Sequence, residues 1–246
     1  MKKFQPHIHL DDSLNIKYAL LPGDPARLNH IAEILSGVKE LAFNREFRSL
    51  KGYYKDLPIL AVSTGIGGAS MGIAVEELFT IGVRTMIRIG SCGSLQKEVK
   101  IGDLLIVSGA VRDDGASKSY IDPIFPAVPD PYLMFACINA AQSLGVPFHV
   151  GIVRSHDSFY TDRESEVSEY WSKRHVLGAD METAALFTIG MLRKIQTASI
   201  LNNVVGFGED TTEGITSYVK GENLAMRGER NEILTALEAF TMLQLD

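Results

Sequence analysis

The chain has 246 residues, a hydrophobic fraction of 46% and a formal net charge of −6. This length suits one large α/β domain with a sizeable core, and the acidic balance does not favour a nucleic-acid binder or a membrane-surface protein. No apolar run resembles a signal peptide or approaches the roughly 20 residues of a membrane helix. The two cysteines, Cys92 and Cys137, lack metal-ligand spacing and indicate a reduced, cytoplasmic protein.

The first predicted unit is a strand, a glycine turn and a helix. Residues 18–21 read as a short strand, the turn contains Gly23, and a stripe of apolar residues predicts a helix that begins near Arg27. Backbone N–H groups at Gly23 and at the helix start can bind an anion. Because the helix dipole disfavours a cation in the first turn, a bound phosphate would explain Arg27.

The next segments form a hairpin and a second strand-loop-helix unit. Residues 44–48 read as the polar edge of the hairpin, and a buried strand at 59–63 precedes a loop of small residues at 64–70 and a helix up to Ile81. Glycines in this loop permit close helix packing or close approach of a ligand. The spacing is not G-x-G-x-x-G and no acid ends the next strand, which excludes a dinucleotide-binding unit.

A charged residue interrupts the apolar strand at residues 85–89. This residue, Arg88, is followed by the small residues of 90–94. A buried cation is costly unless an anion meets it, and glycines and serines let backbone N–H groups and hydroxyls approach that anion. The alternative is an ordinary turn with Arg88 in a structural ion pair. This stretch alone does not decide between the two.

The second half of the chain continues the alternation of strands and helices. The predicted elements are strands at 103–110, 149–153 and 197–201, helices at 131–144 and 231–243, a charged turn at 111–115 and a mobile acidic loop at 206–222. Ser155, His156 and Asp157 follow one another at a strand end. Neighbours in an extended run point to opposite sides and no G-x-S-x-G elbow is present, so a hydrolase triad is not favoured.

Two acids, Asp180 and Glu182, lie at a helix start, where N-terminal capping explains them simply. Alternatively, Glu182 accepts hydrogen bonds from a polyol such as ribose, since its apolar neighbours make an unpaired carboxylate costly.

Small, polar or charged residues follow five of the predicted strands, as expected for a site along one edge of an α/β sheet. Three arginines lie in or beside these clusters, namely Arg27, Arg45 and Arg88. Three guanidinium groups beside glycine turns suggest a dianion such as phosphate. The predicted fold is one α/β domain over residues 1–246, with a central mixed, largely parallel sheet flanked by helices.

Seven motifs occur in order: PHI at His7, PGDPAR at Gly23 to Arg27, NREF at Arg45, STGIGGASMGIAVEEL from Ser63, RIGSCGSL from Arg88, SFY at Phe159 and DMETAAL at Glu182. Together they resemble the hexameric branch of the nucleoside phosphorylase-I family, which includes purine nucleoside phosphorylases and uridine phosphorylases. The match covers nearly the whole chain. The long run from Ser63 is highly specific for this family. The short motifs are weak evidence alone, but they occur in the order and rough spacing of the family.

The resemblance implies a pentosyltransferase of nucleotide salvage, which converts a nucleoside and inorganic phosphate to a free base and (deoxy)ribose 1-phosphate. It also implies a cytoplasmic homohexamer, a trimer of dimers with shared active sites. No cofactor is expected, since phosphate is a co-substrate. In uridine phosphorylases a monovalent cation can lie between subunits, and the matching positions for such a structural K⁺ are Glu46, Ile66 and Ser70.

The resemblance further implies a role for each matched site residue. The phosphate-binding residues would be Gly23, Arg27, Arg88 and Ser91, with Arg45 from the adjacent subunit. The ribose-binding residues would be Met181, Glu182 and, from the adjacent subunit, His7. The base-binding residues would be Cys92, Gly93, Phe159 and Asn203. Of these, Arg88 and Asn203 are the expected catalytic residues.

The base is where the chain departs from the family. Bacterial purine enzymes carry an aspartate after the strand that matches 197–201, whereas Asn203 here donates a hydrogen bond but cannot transfer a proton. Either Asn203 stabilises the leaving base, or Glu209 or Asp210 folds back. Uridine phosphorylases carry a Gln-x-Arg pair and an insertion that residues 161–165 lack. The PHI motif and the short segment favour a purine nucleoside, with uridine as the alternative.

Two other functions stay open. A hydrolytic nucleosidase shares the fold but would not need the full set of arginines. A non-catalytic nucleoside-binding protein would fit the missing acid.

Overall fold

Nine strands form one mixed sheet in the computed structural model, which describes residues 4–219 and 223–243. The strands are β1 (Tyr18–Pro22), β2 (Ser36–Asn44), β3 (Phe47–Tyr54), β4 (Leu57–Val62), β5 (Thr85–Ser94), β6 (Leu104–Asp113), β7 (Phe148–His156), β8 (Gly178–Asp180) and β9 (Gln196–Val205). Their order is β2-β3-β4-β1-β5-β8-β7-β6-β9, and β5 also pairs with β9. Strands β5 to β9 therefore close into a ring, to which β1 to β4 are attached at β5.

The central strand of this arrangement is β5, which pairs in parallel with β1 and β9 and antiparallel with β8. Parallel pairing also joins β1 to β4, β6 to β7 and β7 to β8, whereas β2–β3, β3–β4 and β6–β9 are antiparallel. The predicted mixed α/β sheet is confirmed. Its consequence for function is that the ends of β1, β5, β7 and β9 lie near one another.

Helices cover both faces of the sheet. They are α1 (Arg27–Ala32), α2 (Gly68–Thr80), α3 (Gly115–Tyr120), α4 (Pro131–Leu144), α5 (Glu164–Ser172), α6 (Thr183–Arg193), α7 (Thr211–Val219) and α8 (Asn223–Met242). One buried cluster includes Met71 of α2 and Phe187 of α6, and a second includes Leu28, Leu133 and Phe240 of α1, α4 and α8. In the described residues, no helix is both long and apolar enough to cross a membrane.

The boundaries of α4 match the prediction because its caps are explicit in the sequence. The Asp130 side chain accepts a hydrogen bond from the Leu133 N–H (2.9 Å), and Pro131 occupies the first helical turn. Gly145 ends the helix in the left-handed region, with φ of 64°.

Three predicted segments differ from the structure. The charged turn at 111–115 is strand up to Asp113, because residues 111–113 pair with residues 154–156 of β7. The predicted loop at 206–222 contains α7, whose Ile215 and Tyr218 pack against a small apolar cluster at the end of β9. Helix α8 begins at Asn223 rather than near residue 231. Residues 220–222 of the predicted loop lie outside the described residues.

Candidate active site

A cavity of about 1280 Å³ opens at the end of β5. The segments after β1, β4, β7, β8 and β9 surround it. They meet there because β7, β8 and β9 belong to the same ring of strands as β5, and β1 and β4 are attached to it. Nine of the predicted site residues line this cavity: Gly23, Arg27, Arg88, Ser91, Cys92, Gly93, Phe159, Met181 and Glu182. Residues from four separate motifs thus meet in one place, whereas His7, Arg45 and Asn203 do not line it.

Arg88 lies at the bottom of the cavity, 3% exposed, between two carboxylates. Its Nε donates to Asp180 Oδ2 (3.0 Å), and its Nη2 lies 2.5 Å from Glu182 Oε2. Burial opposes the charge, but Glu182 and Asp180 outweigh it and raise the pKa of Arg88. The buried Nη1 has no hydrogen-bond partner within the described part of the chain. Arg88 therefore forms structural ion pairs with Asp180 and Glu182 and still has one group, Nη1, that can donate to an anion.

Asp180, and not Glu182, caps helix α6. Asp180 Oδ2 accepts from the Thr183 N–H (3.0 Å) and from Thr183 Oγ1 (2.6 Å), while Oδ1 accepts from Ser155 Oγ (2.5 Å). Glu182 makes no capping bond with its side chain. Its carboxylate instead accepts from the Gly67 N–H (2.6 Å) and pairs with Arg88. Glu182 thus faces the cavity, as the polyol interpretation requires.

The charge state of Glu182 follows from its surroundings. Burial raises the pKa of Glu182, Arg88 opposes this, and Asp180 adds to it, so the net shift is upward. The carboxylate therefore depends on Arg88 for its charge, and the two residues act as a pair.

Arg27 is also buried, beside Gly23 and Gly90 in the cavity wall. Its Nη1 donates to the Ile89 carbonyl (3.2 Å), and its Nη2 donates to Tyr218 Oη (2.7 Å). Two carboxylates of α8, Glu229 and Glu232, complete its surroundings.

The sequence analysis did not identify these two glutamates or Tyr218. A signal for the glutamates exists in the sequence, because Glu229 and Glu232 are three residues apart and Glu232 precedes the inward-facing Ile233. Such spacing places both on the buried face of a helix.

His7 and Arg45 lie together on the surface, outside the cavity of their own chain. The His7 and Ile8 N–H groups donate to Glu77 Oε2 (3.1 and 2.9 Å), and His7 Nδ1 lies 2.6 Å from Glu77 Oε1. Asn44 Nδ2 donates to the His7 carbonyl (2.7 Å), which ties the arm to the turn that carries the exposed Arg45. Their predicted action in an adjacent subunit stays a prediction.

Asn203 does not reach the cavity, which corrects its predicted placement in the base pocket. A β-bulge in the β5–β9 pairing sets Asn203 opposite Cys92 and Val205 opposite Gly93, which shifts the alternation of side chains. Val205 consequently lines the cavity, while Asn203 is fully buried with its Nδ2 3.5 Å from the Val99 carbonyl.

Of the two acids proposed to fold back, only Glu209 borders the cavity. Its carboxylate accepts from the Gly206 N–H (3.0 Å). Asp210 instead accepts from the Glu213 N–H (2.9 Å) at the start of α7.

Of the three residues matched to a monovalent cation, Glu46 and Ile66 line the cavity and Ser70 contacts Glu46. Ser70 Oγ donates to Glu46 Oε1 (2.7 Å), and this bond holds the pKa of Glu46 below its usual range. Ile66 is 79% exposed. Within the described ranges, no group of three or more His, Cys, Asp or Glu side chains could hold a metal ion. One carboxylate and one hydroxyl suit a weakly bound cation at most, and this cation stays a prediction.

Gly90 leaves room for the Arg88 guanidinium. A Cβ at this position would lie 2.4 Å from Arg88 Nη2 and 2.6 Å from Cζ, both well inside contact distance. We expect Gly90→Ala to displace the guanidinium, to cost about 1–3 kcal/mol of stability and to weaken phosphate binding. Equilibrium unfolding and phosphate titration measure both effects.

The matched control is Gly109→Ala in β6, where a Cβ would lie 3.6 Å from its nearest neighbour. This variant should keep phosphate affinity. Wild-type affinity in Gly90→Ala would contradict the placement of Arg88.

The cavity combines guanidinium groups that can hold an anion with a carboxylate that can accept hydrogen bonds from hydroxyls, which defines a site for phosphate and a sugar. Residues 17–215 match the family model described as the phosphorylase superfamily. The chain belongs to this superfamily. The expected class of enzyme, a pentosyltransferase of the nucleoside phosphorylase type, is thereby confirmed.

Individual relatives agree with this family. Uridine phosphorylase from Thermococcus kodakarensis is 37% identical, over 97% of this chain and 86% of the relative. Guanosine phosphorylase from Halorubrum lacusprofundi is 34% identical, over 80% and 81%. The crystal structure of uridine phosphorylase from Vibrio fischeri ES114 complexed with 6-hydroxy-1-naphthoic acid has a TM-score of 0.90 at 45% identity, over 97% of both chains.

Proposed function

We propose that this protein is a uridine phosphorylase, which transfers the ribosyl group of uridine to inorganic phosphate and releases uracil. Relatives from Thermococcus kodakarensis and Treponema pallidum, and the solved structure from Vibrio fischeri, carry this name and align over almost the whole chain. They favour uridine, the alternative of the sequence analysis, over the purine nucleoside expected there.

The observation that carries the proposal is the position of Arg88 and Glu182. Arg88 lines the cavity with its buried Nη1 unpartnered among the described residues, and Glu182 lies 2.5 Å from the same guanidinium. One residue pair can therefore hold phosphate and ribose side by side, which sets the nucleophile next to C1′.

The reaction follows from this arrangement. A phosphate oxygen forms a bond to C1′ while the C1′–N1 bond breaks, and the electron pair of that bond goes to the uracil ring. The sugar carries positive charge in between, so a nearby carboxylate such as Glu182 stabilises it while accepting hydrogen bonds from the ribose hydroxyls. Arg88 and Arg27 orient the phosphate by fixed donors, without a proton transfer of their own.

We assign the base end of the cavity to Phe159, His156 and Val205, which all line it. Phe159 supplies an aromatic face for the uracil ring. Burial and the charge of Arg154 lower the pKa of His156, so the imidazole is neutral near pH 7. Its Nδ1 contacts the Ser158 carbonyl (3.0 Å).

An assay of four nucleosides separates the candidate functions. Uridine, guanosine, inosine and adenosine are incubated with the enzyme, with and without phosphate, and the free base and ribose 1-phosphate are quantified. We expect phosphate-dependent release of uracil to be fastest. Faster release of guanine would favour the second candidate, a purine nucleoside phosphorylase, to which the Halorubrum relative points. Release without phosphate would indicate a nucleosidase, and no release a binding protein.

The proposal includes active sites shared between subunits. His7 and Arg45 lie outside the cavity of their own chain, and Arg45 is exposed, as a residue that completes a neighbouring site would be. The hexamer and the cytoplasmic location stay predictions.

Hybrid oligomers test the shared site. Arg45→Ala and Glu182→Gln should each keep no more than about a tenth of wild-type activity alone. When equal amounts are unfolded and refolded together, about a quarter of wild-type activity should return, because half of the dimers are hybrids and each hybrid contains one intact site. Activity that stays at the level of the parent variants would contradict the sharing of Arg45.

A further inference from the structure

Two carboxylates of α8 lie behind the phosphate end of the cavity and contact the same arginine. Arg27 Nε donates to Glu229 Oε2 (3.1 Å), and Arg27 Nη1 lies 3.2 Å from Glu232 Oε1. Glu232 is fully buried, and its Oε2 accepts from the Gly90 N–H (3.1 Å). Because Arg27 and Gly90 both line the cavity, Glu232 lies one residue layer beneath the cavity wall.

The charges at this end of the cavity do not suit a dianion. Arg27 faces Glu229 and Glu232, and Arg88 faces Asp180 and Glu182, so two guanidinium groups meet four carboxylates. When all four are ionised, this buried cluster carries two excess negative charges. Phosphate would add up to two more in a region of low dielectric, where repulsion between like charges is strong.

Glu232 has fewer hydrogen-bond donors than Asp180 or Glu229. Glu229 is met by Arg27, by the Tyr218 hydroxyl and by Nδ1 of His30, and its pKa is lowered. Glu232 receives one backbone N–H, and its Oε1 has no hydrogen bond among the residues that the structure describes.

The titratable or charged groups around Glu232 come from four elements. They are Arg27 and His30 of α1, Arg88 and Cys92 of β5, Tyr218 of α7 and Glu229 of α8.

We infer that phosphate binds the form of the protein in which Glu232 carries a proton, so that a molecule whose Glu232 is ionised takes up a proton from solvent when the anion binds. The inference rests on the proposed function, because phosphate is the ligand concerned. Protonation makes Glu232 neutral and leaves more of the Arg27 charge for the ligand. Glu232 is thus a positioning residue, which acts through Arg27 and Gly90.

The pKa of Glu232 supports the inference. Burial raises this pKa to about 8, opposed by Arg27 and Arg88 and assisted by Glu229. A dianion in the cavity would raise it further, since it repels the ionised carboxylate. The anion-binding form therefore predominates below pH 8, and affinity falls as the pH rises above 8.

Sulfate separates the titration of the protein from that of the ligand, because sulfate stays a dianion from pH 7 to pH 9. We expect the sulfate Kd of the wild-type protein to rise about tenfold between these pH values, as the carboxylate loses its proton. Glu232→Gln mimics the protonated acid and should bind sulfate with the same Kd at both. Glu238→Gln, a matched change in α8 at a residue that pairs with Lys55, should keep the wild-type profile.

Calorimetry of the wild-type protein supplies a second readout that needs no variant. Titration with sulfate at pH 8 in two buffers of different ionisation enthalpy should show uptake of about half a proton per sulfate bound. Binding without pH dependence or proton uptake would overturn the inference alone, and so would an unchanged pH profile in Glu232→Gln. Failure of the wild-type protein to bind either sulfate or phosphate at any pH would overturn the proposed function as well.

Discussion

Arg88→Lys is expected to raise the phosphate KM about 10- to 100-fold. The Nε of Arg88 donates to Asp180 and its Nη2 contacts Glu182, so Nη1 is available to the anion. Only a planar group with several N–H donors can contact three partners in this way. Lysine keeps the positive charge but cannot span both carboxylates and still reach phosphate. A charge-assisted hydrogen bond is worth about 1.5–3 kcal/mol, which sets the expected size of the effect.

Initial rates at saturating uridine, with phosphate varied, measure this effect. The matched control is Arg84→Lys, because Arg84 bonds only backbone carbonyls, of Phe79 and Val83, among the hydrogen bonds described for it. An unchanged phosphate KM in a folded Arg88→Lys protein would show that Arg88 serves the fold alone. Alanine is the poorer test, since it would leave Asp180 and Glu182 buried without their cation at a cost of about 3–5 kcal/mol.

Arg88 also shows how much of the site can be predicted from neighbouring residues in the sequence. A single cation in an apolar strand predicts a partner, and the small residues after it predict a ligand. The partners themselves are 92 and 94 residues further along the chain. They reach Arg88 because β8 pairs with β5, a contact between distant segments that no local periodicity encodes.

The errors of the sequence analysis have similar physical causes. Asn203 was placed by counting from a strand end, and one bulge in β9 is enough to turn its side chain out of the cavity. The segment at 206–222 contains glycine and few apolar residues, so its weak helix propensity predicts a loop. The helix α7 forms there because Ile215 and Tyr218 pack against the apolar cluster at the end of β9. The late start predicted for α8 left Glu229 outside the helix, so the shared face of Glu229 and Glu232 was not recognised.

Base specificity was the least predictable feature. Strand ends and glycine turns indicate a phosphate site because guanidinium and backbone N–H groups are specific for an anion. The base end proposed above, with Phe159, His156 and Val205, offers an aromatic face, one imidazole and a shape that many bases can satisfy. Close relatives therefore inform the choice of uridine more than any single residue does.

Glu182→Gln is expected to lower kcat/KM for uridine about 10- to 100-fold while the protein stays folded. Glutamine keeps the size of the side chain and one of the two acceptor atoms that now meet Gly67 and Arg88. It removes the negative charge that stabilises the sugar in the transition state, and a hydrogen bond to a charged group is worth about 1.5–3 kcal/mol. Steady-state kinetics with uridine varied, together with equilibrium unfolding, measure both parts.

The response of the phosphate KM distinguishes this variant from Arg88→Lys. Loss of the Glu182 charge leaves Arg88 with one carboxylate partner, Asp180, and one fewer negative charge near the anion. Phosphate should therefore bind as tightly as in the wild-type protein or more tightly, whereas Arg88→Lys weakens it. If Glu182→Gln kept full activity, the carboxylate would only stabilise Arg88. If it raised the phosphate KM as Arg88→Lys does, Glu182 would serve the phosphate site through Arg88 and not the ribose.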